Sequence, residues 1–215
     1  MQPGTAAVDD PAERTFIETA RRNQIVGAAI DTIAEVGYAR ASLARIAARA
    51  GISRGLISYH FAGKDDLIKQ VAHDVRAEGV AYIRPRVLAE PTASGMLRAY
   101  ILSNLAFMRE HRNHMVAIVE IARNGITADG QYRFSDDAGM DRAERLLGDL
   151  LARLQAAGQL RQDFDPKIMA VAIRAAIDAV PPRLVSDPDL DIDKYATEIA
   201  TAFHLATRVA DEDQD

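Results

Sequence analysis

The chain has 215 residues, 48% of them hydrophobic and 27% charged, with a formal net charge of −5 and no cysteine. That length allows one or two compact domains, and the missing thiol excludes disulfides, cysteine nucleophiles and cysteine-ligated zinc. No apolar run approaches the roughly 20 residues that span a bilayer, and the opening "MQPGTAAVDDPAER" lacks the basic start and apolar stretch of a secretion signal, so a cytoplasmic protein without membrane contact is expected.

Apolar residues recur three and four apart almost everywhere, which predicts an all-α chain. Residues 1–10 read as a disordered tail. Asp10, Pro11 and Glu13 then give an N-cap, a first-turn proline and a third-position glutamate, so a helix starts there or near Thr19. Ile25, Ala28, Ala29, Ile33 and Val36 form its apolar stripe, and Gly37 ends it. Ser42 caps a short second helix closed by Gly51, and Ser53 caps a third that Gly63 keeps short. A fourth helix runs over about 64–82, with Pro85 kinking or ending it. Further helices are expected over 96–110, 112–124, 136–157, 166–180 and 192–208, about nine in all, with "ITADGQYRFS" and "PPRLVSDPDLD" as the longest loops. The domain plan is a tail at 1–10, a first domain at 11–86, a second at 87–209 and an acidic tail at 210–215.

The net charge conceals a division. Residues 12–86 sum to +4 and residues 87–215 to −7. No acid occurs between Glu35 and Asp65, while Arg40, Arg45, Arg49, Arg54 and Lys64 all fall there, the electrostatic footprint that a polyanion needs. Within "ARAGISRGLISYHFAGKDDL", two short helices meet at the small residues Ala47 and Gly51. Ile46, Ala50, Ile52, Leu56 and Ile57 form the inner seam, which leaves Arg45, Arg49, Ser53, Arg54, Gly55, Ser58, Tyr59 and His60 outward. That outward set holds most of the donor types used against phosphates and base edges. Residues 53–60 cover about 11 Å, which suits a major groove about 12 Å wide. Arg54 is placed to read guanine, and Tyr59 and His60 to meet phosphates. Lys64 opposes the dipole of the helix it opens, which favours an anion arriving there. Arg40 and Ser42 complete the candidate DNA-contact set.

The stretch "RRNQIVGAAIDTIAEVGYARASLARIAARAGISRGLISYHFAGKDDLI" resembles the N-terminal domain of the TetR family of bacterial transcriptional regulators, through its Gly-Tyr, Ser-Leu, Ile-Ala, Ala-Gly, Tyr-His-Phe and Lys-Asp-Asp-Leu elements in order. The resemblance implies a homodimeric repressor: three N-terminal helices bind a palindromic DNA operator, and the C-terminal helices hold a small-molecule effector and the dimer seam. By similarity the seam is assigned to Ala170, Ile173, Ala176, Ile177, Ile199, Ala202, Phe203 and Ala206. The effector pocket is sought among Tyr100, Asn104, Phe107, Met108, Met115, Ile118 and Phe134, with an apolar or amphipathic effector preferred and no cofactor.

Two other readings stay open. A dimer of the same fold could bind a small molecule or a protein without touching DNA, although the intact basic window argues against it. A metal-dependent enzyme would use His111 and His114, three apart with Glu110 and Glu120 nearby, but these residues supply no third ligand at a characteristic spacing. No nucleophile–base pair or phosphate-cradling glycine loop accompanies them, so an enzyme is not expected.

Overall fold

The computed structural model describes residues 11–124, 137–187 and 189–209. The expected first N-cap Asp10, the stop at Gly125, the loop at 126–135 with Phe134, and the acidic tail lie outside them. Among the described residues every regular element is a helix: α1 (Pro11–Val36), α2 (Leu43–Ala50), α3 (Arg54–His60), α4 (Lys64–Leu88), α5 (Ala93–Glu110), α6 (Arg112–Asn124), α7 (Asp137–Ala156), α8 (Pro166–Asp178), α9 (Val180–Ser186) and α10 (Ile192–Thr207). No described helix is long and apolar enough to cross a membrane.

Two expectations change. The stretch "PPRLVS" is not a loop but the body of α9, since prolines at the first helical positions pre-set the backbone angle and lack only N–H groups that would be unpaired anyway. Pro85 does not end α4, which continues to Leu88. The helix closes beyond it, where the Ala89 N–H donates to the Pro85 carbonyl at 3.0 Å.

The chain forms two compact units that divide within α4, after Val71. In the first unit, Ile25, Ala29 and Ile33 of α1 meet Ile46 of α2 and Ile57 of α3, all of them fully buried. Each such isoleucine contributes about 1.5–3 kcal/mol through burial. Leu67, Ile68 and Val71 add the first turns of α4 to this core.

In the second unit α5 packs along α10, α7 along α8, and α6 against α9. Leu97, Ile101 and Leu105 give α5 its buried stripe, and Ala196 and Ala200 let α10 lie close. Leu147 and Leu151 of α7 face the same interior as Ala170, Ile173 and Ile177 of α8.

The turn between α2 and α3 depends on Gly51. Its φ is +65°, its N–H donates to the Ala48 carbonyl at 3.2 Å, and the next N–H, from Ile52, reaches the Ala47 carbonyl at 3.0 Å. This paired closure consumes two carbonyls that the helix end leaves open, and it requires a left-handed residue. Gly51→Ala is expected to cost about 1–2 kcal/mol, read as a lowered urea midpoint with unchanged slope.

Candidate functional site

α2 and α3 have 8 and 7 residues. Helices this short are marginal in isolation, so their ends must be satisfied from outside. The Ser42 Oγ accepts from the Arg45 N–H at 3.3 Å, and the Ser53 Oγ accepts from the Leu56 N–H at 3.2 Å. The opposite ends are held by α1. Gln24 Nε2 donates to the carbonyl of Ala50, the last residue of α2, at 2.7 Å. Arg22 Nη1 donates to the carbonyl of His60, the last residue of α3, at 2.6 Å, and Nη2 donates to Gln70 Oε1 at 3.1 Å. The same guanidinium lies over the Phe61 ring, 4.4 Å from its centroid, and that ring is 2% exposed.

Neither Arg22 nor Gln24 belongs to the set expected from sequence. Arg22 does carry a signal: it stands three and seven residues before Ile25 and Ala29, on the stripe that the helix buries. A charged residue on that face needs a partner, and a helix C-terminus is one.

With the inner surfaces occupied, the outward set is exposed: Arg40, Ser42, Arg45, Ser53, Arg54, Gly55, Ser58 and Tyr59, with His60 half-buried. Tyr59 is 72% exposed, so its ring projects instead of packing. Its hydroxyl reaches Glu18 Oε1 at 3.4 Å, and its ring stands edge-on to His60. Among the described residues neither Arg45 nor Arg54 has an ion-pair partner. Arg49, by contrast, is paired with Glu35, the acid at the edge of the basic window. Arg40 turns back through Nε to the Val36 carbonyl at 2.7 Å, closing the end of α1.

Lys64 is anchored within its own unit. Its Nζ donates to the Tyr38 carbonyl at 2.7 Å and sits 4.0 Å from the centroid of the Tyr38 ring. Burial pushes its pKa below the usual lysine value, with Asp65 partly offsetting. The carbonyl and the ring face thus supply the negative partner that its position against the α4 dipole calls for.

The sequence model for bacterial regulatory proteins of the tetR family matches residues 25–71, the stretch that contains α2 and α3. Residues 25–71 are thus similar to the N-terminal domain of the TetR family. The HTH-type transcriptional regulator BetI 1 of Chromohalobacter salexigens is 40% identical to it over 85 residues, 39% of this chain and 42% of that protein. The chain therefore spans about two fifths of the length of the curated relatives it matches. Solved structures are similar over most of the chain. SmeT, the repressor of the Stenotrophomonas maltophilia multidrug efflux pump SmeDEF, superposes with a TM-score of 0.71 at 25% identity, over 87% of this chain and 90% of that one. FadR from Bacillus subtilis, in complex with stearoyl-CoA, gives 0.73 at 19% identity, over 83% and 95%.

Of the expected effector-pocket residues, Asn104, Phe107, Met108 and Met115 are buried, and Tyr100 and Ile118 are half-buried. Phe107 stacks on His111 and tilts against Tyr82 of α4. Tyr100 and Asn104 instead turn to α8, where Arg174 Nη1 donates to the Tyr100 hydroxyl at 3.0 Å and to Asn104 Oδ1 at 3.3 Å, while Nη2 pairs with Asp178. Burial opposes the Arg174 charge, yet the Tyr100 hydroxyl and the Asp178 carboxylate outweigh it and hold its pKa above the usual guanidinium range. Asp178 is itself held above the usual carboxylate range by burial, only partly offset by Arg174.

The expected seam residues divide. Ala170, Ile173 and Ile177 are completely buried within one chain, so a partner cannot reach them. Ala176, Ile199, Phe203 and Ala206 are half-buried and Ala202 is exposed. The large apolar side chains that α8 and α10 turn outward are Ile168, Val171 and Leu205, at 70, 46 and 56% exposure.

The tie from α1 to α3 has a measurable consequence. Arg22→Ala is expected to cost about 2–3 kcal/mol in chemical denaturation, because it deletes a charge-assisted bond to a helix-end carbonyl and uncovers the Phe61 ring. Arg22→Lys, which cannot bridge the His60 carbonyl and Gln70 together, is expected to recover less than half of the loss.

Proposed function

We propose that this chain is a ligand-responsive transcriptional repressor of TetR type that binds a palindromic DNA operator as a homodimer. One observation carries the reading. The α2–α3 pair is capped at both ends and buried on its inner side, while its outer side presents Arg45, Ser53, Arg54, Ser58 and Tyr59 within a stretch free of acids. A rigid polar ridge of this length fits a major groove, with Arg54 in the first turn of α3 reaching base edges and Tyr59 and His60 reaching phosphates. The similar BetI 1 protein, an HTH-type transcriptional regulator by name, supports the assignment.

Lys64 acts differently from the other cations in this reading. Bound to Tyr38, it fixes the loop that precedes α2 and lends its charge to the ridge from a set position. Two copies of the ridge must stand about 34 Å apart to enter successive grooves, and that spacing calls for a symmetric pair. The outward apolar residues Ile168, Val171 and Leu205, with the exposed Ala202 of α10, supply the seam for it. Val171→Asp with Leu205→Glu is expected to leave a folded single chain by light scattering and to weaken operator binding at least about 100-fold. A dimer that survives both changes would remove α8 and α10 from the seam.

For the effector, the largely enclosed Tyr100–Asn104–Arg174 cluster supports a site that holds one polar end of a mainly apolar or amphipathic molecule between α5 and α8. The stearoyl-CoA in the FadR complex is a ligand of that description. Binding there is proposed to shift α4 and so the separation of the two ridges, with a coupling of about 1–3 kcal/mol that lowers operator affinity about 5- to 150-fold.

The direct test is fluorescence anisotropy with DNA from the chain's own upstream region. Saturable binding to a palindrome with a steep salt dependence is expected. Tyr59→Ala is expected to weaken every sequence alike, and Arg54→Ala to cost about 1–3 kcal/mol and flatten discrimination at a guanine. Unchanged affinity and base preference in both variants would remove α3 as the reading element.

A further inference from the structure

The chain contains five histidines, His60, His73, His111, His114 and His204. Two of them converge with an acid from a distant part of the sequence. One ligand atom each from Glu78, His111 and His114 lies within 4.8 Å of the other two. Three elements supply them: Glu78 stands in α4, His111 is the residue that ends α5, and His114 stands in the first turn of α6. The third donor missing from the H-x-x-H spacing therefore comes from α4, and neither Glu110 nor Glu120 provides it.

The geometry is close to what a small divalent ion requires. Bonds of about 2.0–2.1 Å in a tetrahedral shell place neighbouring ligand atoms about 3.3 Å apart. His114 Nε2 and Glu78 Oε2 already stand at 3.1 Å. The His111 ring is held by the core: it stacks on Phe107 with centroids 4.4 Å apart and a 30° tilt, and Tyr82 meets it edge-on. Phe107 is 5% exposed, so this imidazole is positioned by a fixed neighbour. Glu110, the acid next to His111, accepts the Tyr82 hydroxyl at 2.9 Å and pairs with Arg109 at 3.3 Å, which commits it elsewhere. Glu78 is 53% exposed in its side chain and His114 22%, so one side of the cluster opens to water, which can complete the shell.

We propose that Glu78, His111 and His114 form a binding site for a divalent transition-metal ion of the zinc class. Two imidazoles and one carboxylate suit Zn²⁺, Co²⁺ or Ni²⁺ better than Mg²⁺ or Ca²⁺, which take all-oxygen shells. The bound ion joins α4 to the turn between α5 and α6, replacing one ion-pair contact with three coordinate bonds. The role is a structural clamp, and the site stands whether or not the N-terminal unit reads DNA.

The test uses the full chain without a purification tag, stripped with chelator and titrated with Co²⁺ alone while visible d–d absorption is followed. One Co²⁺ per chain is expected, displaced by Zn²⁺, with thermal unfolding moved upward by saturating ion. Glu78→Gln, on an exposed position that leaves the core intact, is expected to weaken binding at least about tenfold, and His114→Ala to do the same or more. His73→Gln, outside the cluster, is expected to bind as the parent does. His111→Ala is a poorer probe because it also uncovers Phe107. No visible absorption at saturating Co²⁺, or equal affinity in the parent, Glu78→Gln and His114→Ala, would overturn the site.

Discussion

A guanidinium that lies over a buried phenyl ring and donates to the final carbonyl of a seven-residue helix is the contact on which the N-terminal unit depends. Helices as short as α2 and α3 gain too few internal hydrogen bonds to offset the entropy of forming them. Their order is imported. Serine caps serve the two N-termini, a left-handed glycine and Gln24 serve the end of α2, and Arg22 serves the end of α3. α1 thereby supplies both the apolar floor and the polar ties, and the order of α3 follows from α1 more than from the preferences of "RGLISYH".

This arrangement separates two kinds of charge. Arg22 and Arg49 are engaged by the fold, against a carbonyl and a carboxylate, and Lys64 is held in place on an aromatic face. Arg45 and Arg54 stand without ion-pair partners among the described residues. Counting cations in the acid-free window overstates what is available to a polyanion, because charge density in a sequence does not distinguish a cation that holds the structure from one that faces solvent. The exposed set is smaller, and the fold presents it on a fixed frame.

The all-α architecture, the serine caps and the glycine stops at 37, 51 and 158 were readable because each rests on local chemistry within one or two turns. What was not readable depends on which face of a helix meets which neighbour. Ala170, Ile173 and Ile177 show the expected spacing for a seam, yet periodicity cannot say whether an apolar stripe faces its own core or a second chain, and here it faces the core. The α9 helix was concealed by Pro181 and Pro182, which read as breakers but stand at a helix start. Arg22, Arg174 and Glu78 are polar residues whose partners lie 38, 74 and 36 positions away, as with the His60, Tyr100 and His114 contacts, and only folding brings such pairs together.

The central claim is that the α2–α3 pair is ordered before any partner arrives, held by α1. Amide hydrogen exchange on the isolated protein tests it directly. The Leu56 and Phe61 N–H groups, bonded to Ser53 and to the Ile57 carbonyl, are expected to show protection comparable to that of the Gly37 N–H at the end of α1. Exchange of the α3 amides at rates close to those of an unstructured chain, while α1 stays protected, would contradict the account and make α3 a segment that folds only on contact.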